Sequence, residues 1–238
     1  MALNKAVFKT RTITAVVFAV VMLTGLFWNF TSFLLLFLLI HFGAWYEWIK
    51  LLKQIRRNWM PVAPVGLLYI SLPVLLIICL GFYLNWNAAT AGTGSFETLS
   101  LHFSPLIPCG IIFSIWINDT MAYIVGSFIG KTPFSSISPK KTWEGTIGGA
   151  VLCMITIGLL GTYLPVAQSV APVHWWVIAG ICAVFGTSGD LLESKIKRMA
   201  GVKDSGSFMP GHGGFLDRFD SLLVAVPFVW LYLFLIHS

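Results

Sequence analysis

Apolar and polar positions along the chain fall into long blocks rather than short amphipathic repeats. A helix needs about 20 mostly apolar residues to cross the roughly 30 Å hydrocarbon layer of a bilayer. Seven stretches approach that length: Thr12–Trp28, Ser32–Ile49, Val62–Leu84, Leu106–Ile129, Thr146–Leu164, Trp175–Leu192 and Phe215–Ile236. The first has a basic flank (Lys5, Lys9, Arg11) resembling that of a signal peptide, but a second apolar run follows directly after Asn29-Phe30-Thr31. That pattern predicts a retained helical hairpin rather than a cleaved leader. Two stretches are interrupted: Val62–Leu84 contains Pro64 and Pro73, and Leu106–Ile129 contains Asn118 and Asp119. Prolines are tolerated in membrane helices because neighbouring groups re-satisfy the freed backbone. The expected fold is all-α, a polytopic membrane helix bundle of about seven transmembrane helices with its amino terminus in the cytoplasm.

Composition narrows the class. Of 238 residues, 57% are hydrophobic and 10% charged, with a mean hydropathy of +0.85, against roughly 45–50% apolar and about 25% charged in soluble domains. A soluble globule, a disordered chain, a collagen and a secreted disulfide scaffold are all excluded. The four cysteines, Cys79, Cys109, Cys153 and Cys182, stand singly in or at the ends of apolar runs. They read as free, buried thiols rather than metal ligands.

Charge then orients the bundle. Threading the seven stretches alternately puts all 15 Lys and Arg on one side, while the loops Asn85–Pro105 and Pro165–His174 hold none. By the positive-inside rule that side is cytoplasmic, which predicts an integral protein of a bacterial inner membrane with any chemistry facing the cytoplasm. Among nine acids only Glu97 lies in an outer loop. Anionic lipid headgroups account for most of the net charge of +6. No loop is long enough to fold a nucleic-acid-binding domain.

Ionisable residues at membrane depth are costly, so each is a functional candidate. Asp190, Glu193, Ser194, Lys197 and Arg198 share one helical face at the end of the sixth stretch. A surface helix tail would explain the cations, but Asp190 directly follows an apolar run with Gly186 and Gly189, which leave room for a close neighbour. Next comes Lys203-Asp204-Ser205-Gly206-Ser207-Phe208-Met209-Pro210-Gly211-His212-Gly213-Gly214, a glycine-rich loop leading into a helix that opens with Asp217, Arg218 and Asp220. Backbone N–H groups at such a junction can hold phosphate, and carboxylates at its mouth are the hard oxygen ligands that Mg²⁺ prefers. His212 is placed to act as a base, a phosphate donor or a turn residue. Lys140 and Lys141, in Ser138-Pro139-Lys140-Lys141-Thr142-Trp143-Glu144-Gly145, could grip phosphate or merely set topology. Asp119 must face a polar interior or a partner rather than lipid.

The run Ser194-x-x-Lys197-Arg198-x-x-x-x-Lys203-Asp204-x-x-x-x-x-Pro210-x-His212-Gly213-Gly214-x-x-Asp217-Arg218-x-Asp220 resembles the signature of CDP-diacylglycerol synthases (phosphatidate cytidylyltransferases). Trp116-x-x-Asp119-Thr120-x-Ala122-Tyr123-x-x-Gly126, the Ser138–Gly145 segment and Gly186-x-x-Gly189-Asp190 are similar to the family's other blocks, in the same order. The resemblance begins near residue 106. It divides the single integral membrane domain into amino-terminal helices (1–105) and a catalytic region (106–238).

The resemblance implies transfer of the cytidylyl group of CTP to phosphatidate, releasing pyrophosphate. It implies Asp190 and Asp217 as ligands of Mg²⁺, with Asp220 as a further ligand and a monovalent, K⁺-like ion as a second cation. It assigns Lys197, Arg198, Lys203 and Arg218 to the triphosphate and pyrophosphate, and Lys140 and Lys141 to phosphatidate or nucleotide phosphate. Ser194, Asp204, His212, Gly213 and Gly214 complete the substrate pocket, with Asp119 and Glu144 orienting it. CTP, phosphatidate, membrane lipids and a second copy of the chain are the expected partners, and nucleic acid is not. The rivals are a CTP-dependent polyprenol or phytol kinase and an ion-coupled transporter. The transporter would need acids spread along a path across the bilayer, and the outer loops supply one acid and no cation.

Overall fold

The computed structural model describes residues 5–85, 102–208 and 213–237, with side chains from Thr12 onward. The outer loop with Glu97, and His212, fall outside the described residues. Among the described residues there are seven α-helices: α1 (Lys5–Phe27), α2 (Phe30–Ile55), α3 (Leu72–Leu80), α4 (Leu106–Ile129), α5 (Trp143–Tyr163), α6 (Pro172–Met199) and α7 (Leu216–His237). No strand occurs among the described residues.

Among the described residues five helices are long and apolar enough to cross a membrane: α2, α4, α5, α6 and α7. Two of the seven expected spans are shorter apolar helices, Thr12–Phe27 and Leu67–Leu80. The third expected span is shortened by its prolines. Residues 60–64 form turns, a π-helical stretch covers Leu67–Ser71, and α3 starts afresh with Pro73 in its first turn. Proline lacks the N–H that would continue the ladder and clashes with the preceding turn, so one straight helix through Val62–Leu84 is not available.

Asn29 makes the tight connection between α1 and α2. Its side chain accepts from the Ser32 backbone N–H at 2.8 Å, and its own N–H donates to Ser32 Oγ at 3.1 Å. This reciprocal pair satisfies two donors that a helix start otherwise leaves open.

The core runs through the bundle from Phe33, Phe37 and Ile40 on α2 to Ile111 on α4, Ile178 on α6 and Leu216 and Val226 on α7. Outside it, Leu35, Phe42, Leu75, Ile155, Leu231 and Phe234 are all exposed. A soluble monomer rarely shows so much contiguous apolar surface, whereas a bilayer solvates it. The molecule is a helical membrane bundle.

Two close helix crossings position the polar residues. On α5, a Cβ at Gly145 would lie 2.7 Å from the Ala122 carbonyl oxygen, and one at Gly149 would lie 2.7 Å from Ala122 Cβ. Small residues thus let α4 and α5 approach backbone to backbone, as membrane helices commonly do. On α6, a Cβ at Gly189 would lie 2.5 Å from the Asp220 carbonyl oxygen and 3.1 Å from Ser221 Cα. That crossing sets Asp190, one residue on, against the start of α7.

Candidate active site

Carboxylates from two helices meet at the α6–α7 crossing. Ligand oxygens of Asp190, Glu193 and Asp220 lie within 4.8 Å of one another, and Glu193 and Asp220 are buried. At that separation each pair of ionised carboxylates repels by about 3 kcal/mol at an effective dielectric near 20, so the group needs cations. Lys197 supplies one, ion-pairing with Glu193 and, at 2.5 Å, with Asp217 Oδ1. Lys141 supplies another through its ion pair with Asp190.

Four carboxylates (Asp190, Glu193, Asp217, Asp220) thus share the ammonium groups of Lys141 and Lys197. Glu193 Oε1 is buried and has no hydrogen-bond partner among the described residues. Hard oxygen donors held close together and a free buried acceptor fit a divalent cation.

Lys141 reaches Asp190 because its loop is a clipped hairpin. Phe134 N–H donates to the Lys141 carbonyl at 2.8 Å and Trp143 N–H to the Thr132 carbonyl at 3.0 Å. Glu144, in the first turn of α5, accepts from the Lys131 N–H at 3.2 Å and from Thr132 Oγ1 at 2.8 Å. Thr142 caps the same helix by accepting from Gly145 N–H at 3.2 Å.

The hairpin closes one side of a cleft of about 580 Å³. Asn118 and Asp119 of α4, Lys140 and Lys141 of the hairpin, and Thr187 and Asp190 of α6 are among the residues that line it. The volume falls within the range of small-ligand sites, roughly 300–1,000 Å³. Asp119, which the sequence required to face something polar, faces this cleft.

Asp217 has different surroundings. Its Oδ2 accepts from Ser205 N–H at 2.9 Å and Gly214 N–H at 2.7 Å, while Oδ1 is taken by Lys197. It is tied to the three-carboxylate group through Lys197 rather than included in it. Gly213 adopts a left-handed φ of 86°, and a Cβ there would run into the Asp217 carboxylate. The Gly213-Gly214 turn thus lets the Asp217 carboxylate reach back to the loop ahead of α7.

The remaining expected residues disperse. Ser194 Oγ donates to Asp190 Oδ1 at 3.3 Å. Arg198 donates to the Val202 carbonyl at 3.0 Å and closes the end of α6. Lys203, Asp204 and Arg218 are exposed. Glu144 serves the hairpin and is not among the residues lining the cleft.

Two acids at this end of the bundle carry no expected site role from the sequence, although it places Glu193 on the Asp190 face. Glu193 lies on the Asp190 face of its helix, and its i,i+3 spacing was the available signal. Glu47 of α2, 3% exposed, accepts from Phe215 and Leu216 N–H, both at 2.9 Å, and from Ser205 Oγ at 2.6 Å. An acid alone in the apolar run of α2 was its only mark.

Sequence comparisons relate the chain to known proteins. The chain is 55% identical over 107 residues to phosphatidate cytidylyltransferase 4, chloroplastic, of Arabidopsis thaliana, which covers 44% of this chain and 27% of that protein. It is 45% identical over 122 residues to phosphatidate cytidylyltransferase of Bacillus subtilis, covering 50% of this chain and 44% of the relative. With the phosphatidate cytidylyltransferase of Synechocystis sp. the identity is 36% over 180 residues, covering 63% and 57%. The matched stretches thus span between about a quarter and somewhat over half of these relatives' lengths. The family model for the "Cytidylyltransferase family" matches residues 103–236, which hold α4 to α7 with the hairpin, the carboxylate group and the cleft; the chain belongs to that family.

Proposed function

We propose that the protein transfers the cytidylyl group of CTP to phosphatidate, forming CDP-diacylglycerol and pyrophosphate, at the cytoplasmic face of a membrane. The observation that carries this reading is the cleft itself: a chamber within an apolar bundle lined by Lys140, Lys141, Asp119 and Asp190, with Asp190 joining it to the carboxylate group. A lipid phosphate and a nucleotide triphosphate are both anionic, and bringing them together requires positioning and charge neutralisation more than covalent chemistry. The names of the relatives support the substrates, and residues 106–238 hold the chemistry.

Asp190, Glu193 and Asp220 are the proposed holders of Mg²⁺, with Asp217, a ligand by sequence resemblance, joined to them through Lys197. Bound there, the ion would neutralise the phosphate oxygens around the reacting phosphorus. The K⁺-like second ion rests on the resemblance.

Lys140 and Lys141 offer ammonium groups to phosphate on the cleft side, and phosphate binding draws Lys141 from Asp190. In the reaction an oxygen of the phosphatidate phosphate attacks the α-phosphorus of CTP, the bond from that phosphorus to the bridging oxygen breaks, and pyrophosphate leaves. No base is required, because the attacking phosphate is already ionised near neutral pH. The acyl chains remain in lipid beside the bundle while the headgroup enters the cleft.

Purified protein incubated with phosphatidate, Mg²⁺ and CTP labelled at the α-phosphate tests the proposal. Label is expected in the lipid fraction. Lipid label from γ-labelled CTP instead would establish a lipid kinase, and no lipid label from either would remove the transferase reading.

A further inference from the structure

We infer that Glu47, on α2 and outside the stretch that matches the family, is the positioning residue that sets the metal-binding carboxylates in place. The inference rests on the metal-dependent reading above. Glu47 touches none of the three proposed ligands, but a chain of short contacts leads from it to them.

Glu47 Oε1 accepts from the Phe215 N–H and Oε2 from the Leu216 N–H, which fixes where α7, bearing Asp217 and Asp220, begins. Ser205 Oγ lies 2.6 Å from Glu47 Oε2 and 2.9 Å from Asp217 Oδ2, so one hydroxyl bridges the two carboxylates. Asp217 then pairs with Lys197, and Lys197 with Glu193 of the metal group. Displacing Glu47 moves the origin of α7 and the far end of this chain together.

The surroundings are shaped to this carboxylate. A Cβ at Gly206 or at Gly214 would run into it. One turn earlier on the same face of α2, a Cβ at Gly43 would lie 2.5 Å from Cγ of the Phe215 ring. Phe215 therefore seats its ring on Gly43 and its N–H on Glu47, and α2 reads both side chain and backbone of the residue that precedes α7. A buried carboxylate with three donors aimed at it, and glycines on either side, is a built receptor rather than a tolerated charge.

Glu47→Gln separates positioning from mere support. Glutamine keeps the size but turns an N–H₂ donor towards one of the donors that Glu47 now accepts. The full-length protein in detergent is titrated with Mn²⁺ and free Mn²⁺ is followed by electron paramagnetic resonance, with folded protein quantified by size-exclusion chromatography and circular dichroism. The folded E47Q protein is expected to bind Mn²⁺ at least tenfold more weakly than wild type, and Glu47→Asp to restore part of that loss. Binding by folded E47Q within twofold of wild type overturns the inference.

If E47Q does not fold, Ser205→Ala decides: it removes only the bridging hydroxyl, and at least threefold weaker Mn²⁺ binding is expected, with equal binding overturning the inference. A wild-type protein that binds no Mn²⁺ overturns the metal reading and this inference with it. Intact Mn²⁺ binding without cytidylyl transfer removes the proposed reaction and leaves Glu47's role standing.

Discussion

Two sets of acids stand at the same end of the bundle, and their environments differ. Glu47 and Asp217 are satisfied: between them they accept from three backbone N–H groups at the start of α7, from Ser205 and from Lys197. Asp190, Glu193 and Asp220 crowd together with fewer donors, and Glu193 Oε1 has none among the described residues. A buried carboxylate whose lone pairs are filled by the protein stabilises the fold, and one left partly empty is available to an added cation. Burial alone does not separate the sets, since Glu47 and Glu193 are 3% and 1% exposed.

The contrast is sharpest in what each set should lose on substitution. For the open set the loss is activity. Removing a ligand from a catalytic ion forfeits several kcal/mol of transition-state stabilisation, and each 1.36 kcal/mol is tenfold. Asp190→Asn and Asp220→Asn are therefore expected to lower label transfer from α-labelled CTP by about a thousandfold at saturating Mg²⁺. The variants should remain folded, because a repulsive charge has been removed. Near wild-type transfer in either would dissolve the distinction between the sets.

For the satisfied set the loss is stability. Glu47→Ala strands the Phe215 and Leu216 N–H groups, while the Ser205 hydroxyl keeps Asp217, and a buried donor without a partner costs about 1–3 kcal/mol. A total of roughly 2 kcal/mol or more is expected, read as a lower thermal midpoint in detergent. Asp220→Asn measured alongside should show little or no drop. If the two variants melt together, the claim that one set builds and the other binds is wrong.

The sequence disclosed these two sets unequally. Asp190, Asp217 and Asp220 stand in a motif, and the i,i+3 spacing of Asp190 and Glu193 is visible to any helical reading. The bundle itself was legible from apolar block lengths, except where Pro64 and Pro73 divide the third block into turns, a π-helical stretch and the short α3. Glu47 was not legible as a partner. It meets Ser205 and Leu216 across 158 and 169 residues of chain, and no periodicity connects such positions.

Asp217 shows a second limit. Its place beside the glycine turn suggests a metal ligand, and nothing in the spacing announces its contacts to the Ser205 and Gly214 N–H groups. Lys197, expected on phosphate, bridges two acids. Residue type and spacing bring charges to one place without fixing which of them face each other.

Smaller effects test the boundary of the open set. Lys141 neutralises Asp190 and lines the cleft, so Lys141→Ala removes a cation that both the acid and an incoming phosphate can use. A charge-assisted contact is worth about 1.5–3 kcal/mol, which predicts a rise of roughly tenfold or more in KM for CTP or phosphatidate, with unchanged membrane insertion. Unchanged KM for both substrates would return Lys141 to setting topology.

Glu144 is the mildest case and the most discriminating. It is a satisfied acid like Glu47, accepting from Lys131 and Thr132, but it sits on an accessible hairpin rather than inside the bundle. Water can replace a carboxylate's contacts there, so Glu144→Gln should leave the thermal midpoint unchanged. It acts on the site only by holding the hairpin that presents Lys141. The expected result is a rise in KM of about threefold, because weakened exposed contacts contribute under about 1 kcal/mol, with kcat preserved. A loss of kcat as large as that of Asp190→Asn would place Glu144 among the working acids and break the rule that filled lone pairs mark a building role.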